Sequence, residues 1–172
     1  VIARAHAKAR AKDASLSPLT ELDYLAAVDD VSRIGALRLR SETGAYLRSV
    51  SEGEHSTPAF LELEKILSAS RAVELSRETV EDLAYLQGKG TSLGGMRPKC
   101  TLQDSDGALC LAKFPSVGDE RAVTRGEVLA LHLARLAGID SASARVVMVH
   151  GDSVAVVKRF DRTAEQQRIP YM

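Results

Sequence analysis

Two strand-like runs, Lys99–Gln103 and Ala108–Phe114, stand on either side of Asp104-Ser105-Asp106-Gly107, and this spacing constrains the fold more than any other feature of the chain. Strand formers separated by a short Asp/Gly turn close into an antiparallel hairpin. A glycine-rich stretch, Gly88-Lys89-Gly90-Thr91-Ser92-Leu93-Gly94-Gly95, leads into the first run, and the second carries Lys113 near its end. Flexible glycines let a backbone turn its N–H groups toward an anion, and a lysine on a neighbouring strand adds the positive charge that phosphates need. The spacing therefore predicts a phosphate-binding loop feeding a strand that carries a phosphate-gripping lysine.

The rest of residues 88–172 extends the pattern. A helix is expected from Glu120 to Ala137, closed by Gly138 as a left-handed cap. Two further strands, Ala144–Val149 and Ser153–Lys158, are joined at His150-Gly151-Asp152 by a tight hairpin. Loop, hairpin, helix, hairpin is the order of a kinase amino-terminal lobe. Lys113 sits in an otherwise apolar strand, where a buried ammonium is costly unless paired. Glu127 shares a helix face with Leu131 and Ala134, so it is expected to point at the sheet and to hold Lys113, as kinases do when they position nucleotide phosphates. The competing readings are an edge or snorkelling lysine and a solvated glutamate.

Residues 1–87 read as mostly helical. Arg4 to Lys12 alternate alanines with basic residues around the whole cylinder, which predicts a solvated helix. Ser17-Pro18 or Thr20 caps a short helix through Asp29 with an apolar stripe of Leu22, Leu25, Ala26 and Val28. Leu37 and Leu39 alternate with arginines within Ile34–Arg40, the pattern of a half-exposed strand. A long helix should start at Thr57-Pro58 and run through Leu63, Ile66 and Leu67 to Leu75, with a possible break near Ser68–Ser70. Another helix covers about Arg77 to Gln87. The fold class expected is thus α+β: a helical and strand-bearing amino-terminal subdomain over 1–87, then a kinase-like amino-terminal lobe over 88–172 with an antiparallel sheet and one helix of the αC type.

Composition sets limits on function. Lys plus Arg equals Asp plus Glu at 23 each in a chain of 172 residues, so no global field favours nucleic acid or membranes. No apolar run approaches the roughly 20 residues of a spanning helix, and the expected address is the cytoplasm. Cys100 and Cys110 flank the hairpin turn and are expected as buried free thiols rather than a disulfide. The four histidines are scattered, and no Cys/His set has zinc spacing, so no metal ligands are assigned. The glycine stretch fits neither strict phosphate-loop template: Met96 follows Gly95 where a Walker loop has lysine, and Gly88, Gly90 and Gly94 are one residue too far apart for the usual protein-kinase pattern.

Four segments together resemble one family. Gly90-Thr91-Ser92-Leu93-Gly94-Gly95-Met96-Arg97-Pro98-Lys99, Leu111-Ala112-Lys113-Phe114-Pro115-Ser116, Glu127, and Val157-Lys158-Arg159-Phe160-Asp161-Arg162 resemble, in this order, the HipA family of bacterial serine/threonine protein kinases, toxins of type II toxin–antitoxin modules. Leu22-Asp23-Tyr24-Leu25 through Arg38 is similar to the family's amino-terminal region. The resemblance implies ATP and Mg2+ as cofactors, Lys113 and Glu127 as the catalytic pair, and Leu93, Gly94, Gly95 and Met96 as the loop over the phosphates. It makes Ser92 the autophosphorylated serine whose modification expels the loop. Lys158 to Phe160 become the hinge that meets adenine through main-chain groups, and Asp161 reaches the ribose or a nearby phosphate. The partners implied are a HipB-like DNA-binding antitoxin and a translation component such as an aminoacyl-tRNA synthetase, with DNA reached only through the antitoxin.

The family's catalytic aspartates and asparagine lie in an all-helical carboxy-terminal lobe after the hinge, and no such lobe follows Arg162 here. The chain also opens on Val1, so a fragment of a longer kinase is expected, inactive alone. An alternative reading is a non-catalytic module that docks on a partner kinase chain or an antitoxin. A third is direct DNA binding through residues 4–12.

Overall fold

The computed structural model describes residues 1–47, 62–88 and 97–170. Five helices and four strands are formed among them. Helix α1 (Ile2–Lys12) is alanine-rich, and its Arg4 and Lys8 both reach Glu78, with Arg4 also donating to the Val73 carbonyl. Helix α2 (Glu21–Ala26) opens on a capping box in which Thr20 accepts from the Asp23 N–H and the Asp23 carboxylate accepts from the Thr20 N–H. Thr79 and Asp82 make the same exchange at the start of α4 (Val80–Gly88). Helix α3 (Leu63–Glu74) buries Leu63, Ile66, Leu67, Ala69 and Ser70, the spacing of one helical face.

The strands β1 (Lys99–Gln103), β2 (Leu109–Lys113), β3 (Ala144–Val149) and β4 (Asp152–Lys158) form one antiparallel sheet in the order β1-β2-β4-β3. Helix α5 (Val123–Leu136) connects the hairpins. The β1–β2 register pairs Leu102 with Cys110 and Cys100 with Ala112, and these face α3 and α4 in a core completed by Phe114, Val149, Val154 and Val156. The other face carries Ala144 and Ala155 under Val128 and Leu131 of α5. The sheet is thus a middle layer, with helices from the first half on one side and α5 on the other.

Several expectations need correction. Ile34–Arg40 forms no strand: its sole pairing is an isolated bridge from Arg40 to Tyr46, Gly35 takes φ +71, and Arg38 is drawn to Asp30. Helix α2 stops at Ala26 rather than Asp29, because Asp29 turns inward to accept from the Ser32 N–H. Its Leu22 and Leu25 are exposed, so the apolar stripe covers no core. Helix α3 runs unbroken through Ser68–Ser70, where Ala69 and Ser70 pack inward. Helix α5 starts at Val123, three residues after Glu120, since Asp119 caps the turn at Ser116 and pairs with Arg97. The expected helix start at Thr57-Pro58 lies outside the described residues.

Helix α4 begins at Val80 rather than at Arg77, since Thr79 and Asp82 form its cap, whereas the cap after α5, the β3–β4 turn and the thiols match their expected positions. Gly138 takes φ +79 after α5, and His150 and Gly151 take φ 48 and φ 87 in the β3–β4 turn. Cys100 and Cys110 are free and buried, and burial pushes their thiols up to about 12 and about 11.

Candidate functional site

On the α5 side of the sheet, beyond the helix's own footprint, an open cavity of about 340 Å³ lies between β2, β4, α5 and the segment after α2. Its floor is set by the strand register. Leu111 pairs with Val157, and both side chains rise into the cavity beside Leu131 and Ala142. One rim is basic. Lys99 and Lys113 are cross-strand partners on the same face, and both line the cavity.

The ammonium of Lys113 donates to the Glu127 carboxylate from α5, with both side chains about one-third exposed (29% and 33%). Their spacing of one turn along α5 places Glu127 and Leu131 on one face, which brings the carboxylate over β2. Lys99 is held below the usual lysine range by burial and then by the charge of Lys113, against the pull of Glu127. Like charges directly opposite each other across a sheet repel, and the cavity lining sets Lys99, Lys113, Lys158 and Arg159 against Glu127 and Asp161. That arrangement suits an anion, and the apolar floor beside it suits a flat ring.

The end of β4 closes the far side. Lys158 is exposed, and its N–H donates to the Ser143 carbonyl at 2.7 Å, while the Arg159 N–H donates to the Leu109 carbonyl at 3.0 Å. These two backbone N–H groups are therefore spent within the protein. The Phe160 ring is 64% exposed and lines the cavity rather than joining a core. Asp161 is buried, and its carboxylate accepts from Arg159 Nε (2.8 Å) and Nη2 (2.6 Å), Arg162 Nη1 (2.8 Å) and the Gly35 N–H (2.7 Å). Burial alone would raise this carboxyl, but the Arg159 and Gly35 hydrogen bonds and the two guanidinium charges hold it down at about 2.

The structure thus brings Lys113, Glu127, Lys158, Phe160 and Asp161 around one cavity. Ser92, Leu93, Gly94, Gly95 and Met96 lie outside the described residues. Among the described residues no group of His, Cys, Asp or Glu could hold a metal ion. The two cavity carboxylates are occupied, Glu127 by Lys113 and Asp161 by arginines, so the described residues do not fit a Mg2+ site. The lysines and apolar floor do fit a nucleotide. Sequence reading missed Lys99 and Ile34 as lining residues. Lys99 had a signal: a hairpin turning at Asp104–Gly107 places it opposite Lys113. Ile34 had none.

Among known protein families, the model described as HipA-like C-terminal domain matches residues 91–172. No curated protein and no solved structure matches the chain significantly. The family match supports kinship with the HipA family for the part of the chain that supplies Lys99, Lys113, Glu127 and the end of β4.

Proposed function

We propose that this chain is the nucleotide-binding part of an ATP-dependent serine/threonine protein kinase of the HipA type. The observation that carries the reading is the Lys113–Glu127 pair at the basic rim of an apolar-floored cavity, within the region matched to that family. In this reading Lys113 binds nucleotide phosphates and Glu127 fixes the direction of its ammonium, Leu111 and Val157 support the base, and the 158–160 backbone borders it. ATP supplies the phosphoryl group when bound. The glycine-rich stretch covers the phosphates and is phosphorylated on Ser92. The family context suggests a cytoplasmic protein that works with a DNA-binding antitoxin and acts on a translation component. Among the described residues no helix is long and apolar enough to cross a membrane.

Calorimetric titration of ATP into the chain tests this directly. Lys113→Met should abolish measurable binding, and an unchanged affinity would refute the assignment. In a polypeptide that carries a catalytic lobe, Ser92→Ala should remove the loop phosphopeptide; phosphate mapping instead to Thr91 would move the site by one residue. A second reading, a non-catalytic module docking on another chain, draws on Leu129, Leu133 and Leu136, which are exposed along one side of α5. Chain that binds a partner through α5 yet shows no affinity for ATP would favour it.

A further inference from the structure

The segment Val31–Gly35 crosses the end of β4 with Ser32, Arg33 and Gly35 buried and Ile34 exposed (54%) toward the cavity. Its backbone is gripped from the sheet side. Gly35 N–H donates to Asp161, Arg159 donates to the carbonyls of Ser32 and Arg33, and Arg162 donates to those of Val31, Arg33 and Gly35. A segment pinned by both its donors and its acceptors cannot shift without breaking charge-assisted bonds, and Arg168 adds a further one to the Gly35 carbonyl. Gly35, at φ +71, supplies the bend that presents Ile34.

We propose that Val31–Gly35 is a fixed wall of the nucleotide pocket, that Ile34 on it contacts the base, and that Asp161 is the residue that positions this wall. The inference rests on the nucleotide reading above and assigns Asp161 a different part in it. A carboxylate offers about four acceptor sites, and Asp161 already receives four hydrogen bonds from Arg159, Arg162 and Gly35. Three of these bonds fall on Oδ2 and one on Oδ1, so one Oδ1 lone pair at most is left for a ribose hydroxyl. Its side chain is also only 5% exposed, at the edge of the cavity where the wall crosses β4. Phosphate grip and base contact then belong to separate structures: Lys99 and Lys113 on the hairpin, Ile34 on a segment 126 residues away from the Asp161 that holds it.

The separation gives the test. ATP and inorganic tripolyphosphate are titrated calorimetrically into the full chain and its variants. Ile34→Ala, at an exposed position, should weaken ATP about tenfold, the loss expected for removing most of one buried aliphatic contact, and leave tripolyphosphate within about twofold. Asp161→Asn should show the same ligand pattern, and combined with Ile34→Ala it should add little, because both act on one contact. Unchanged ATP binding in Ile34→Ala overturns the wall, as does equal weakening of both ligands in Asp161→Asn. Should Asp161→Asn fail to fold, Ile34→Ala and a graded Ile34→Val decide alone. Wild-type chain that binds neither ligand overturns the nucleotide reading itself, whereas wild-type chain that binds both equally well overturns only the wall.

Discussion

Four hydrogen bonds and two guanidinium charges on one carboxylate make Asp161 the most strongly biased acid of the site. It ionises near 2 instead of 3.8, despite burial that by itself would raise it. A carboxyl depressed in the folded state contributes stability that is complete above its unfolded value and is lost as pH falls through the folded one. The loss therefore falls between about pH 4 and pH 2 and, allowing for screening by solvent in the open cavity, amounts to about 1–2 kcal/mol. Urea denaturation at pH 6, 4 and 2.5 checks it. Other paired acids, Asp104 beside Arg145 and Asp119 beside Arg97, are also held below the usual carboxylate range, so the comparison is between wild type and Asp161→Asn. The variant should be less stable at pH 6 and should lose less on acidification. Parallel pH curves would mean that the arginines hold the segment without needing the charge.

Helix α5 and the turn that ends it carry two glycines, Gly126 and Gly138, whose replacement by alanine should act in opposite directions. Gly126 lies inside the helix, and a Cβ there would meet nothing within 4 Å. Gly126→Ala should stabilise by about 0.5–1 kcal/mol through helix propensity and reduced unfolded-state freedom. Gly138 follows the last turn with equal room but φ +79. Gly138→Ala should cost about 1 kcal/mol and lower the melting temperature by roughly 2–4 °C. Thermal melts that move in the same direction would contradict the conformational argument. These features were legible in the sequence because they are local: a cap at Gly138, a turn of fixed length, a lysine and a glutamate each on a definite face. Ile34–Arg40 was misread because the alternation of Leu37 and Leu39 says nothing about whether a partner strand exists. What holds that segment is Asp30 on Arg38, the Tyr46 ring stacked under Arg38, and Arg162 and Arg168 from the far end of the chain on the Gly35 carbonyl. The Lys113–Glu127 half of the site could be read from periodicity, whereas the Ile34 wall depends on contacts between residues far apart in sequence.

Although the chain divides in pattern near residue 88, its core does not. Leu63, Ile66, Leu67, Ala69 and Leu86 from α3 and α4 pack in one cluster with Cys100, Leu102, Cys110, Phe114 and Val156 from the sheet. Helix α1 is fastened to the turn before α4 through Glu78, and Val31–Gly35 is fastened to the end of β4. A sheet face that, among the described residues, finds its cover in the preceding helices has no reason to stay folded when they leave. Ile66 and Phe114 are almost fully buried (0% and 1%) on opposite sides of this contact. Truncating either to alanine should cost about 3–5 kcal/mol and should lower helix and sheet stability together. The two buried cysteines provide a probe of the sheet that is independent of helical signal. In a denaturant titration, loss of far-ultraviolet ellipticity and exposure of both thiols to a labelling reagent should coincide in wild type, in Ile66→Ala and in Phe114→Ala. If Ile66→Ala instead lost ellipticity while the thiols stayed protected, the first-half helices would be a separable layer. The β1–β2 hairpin and the cavity lysines it carries would then fold without them.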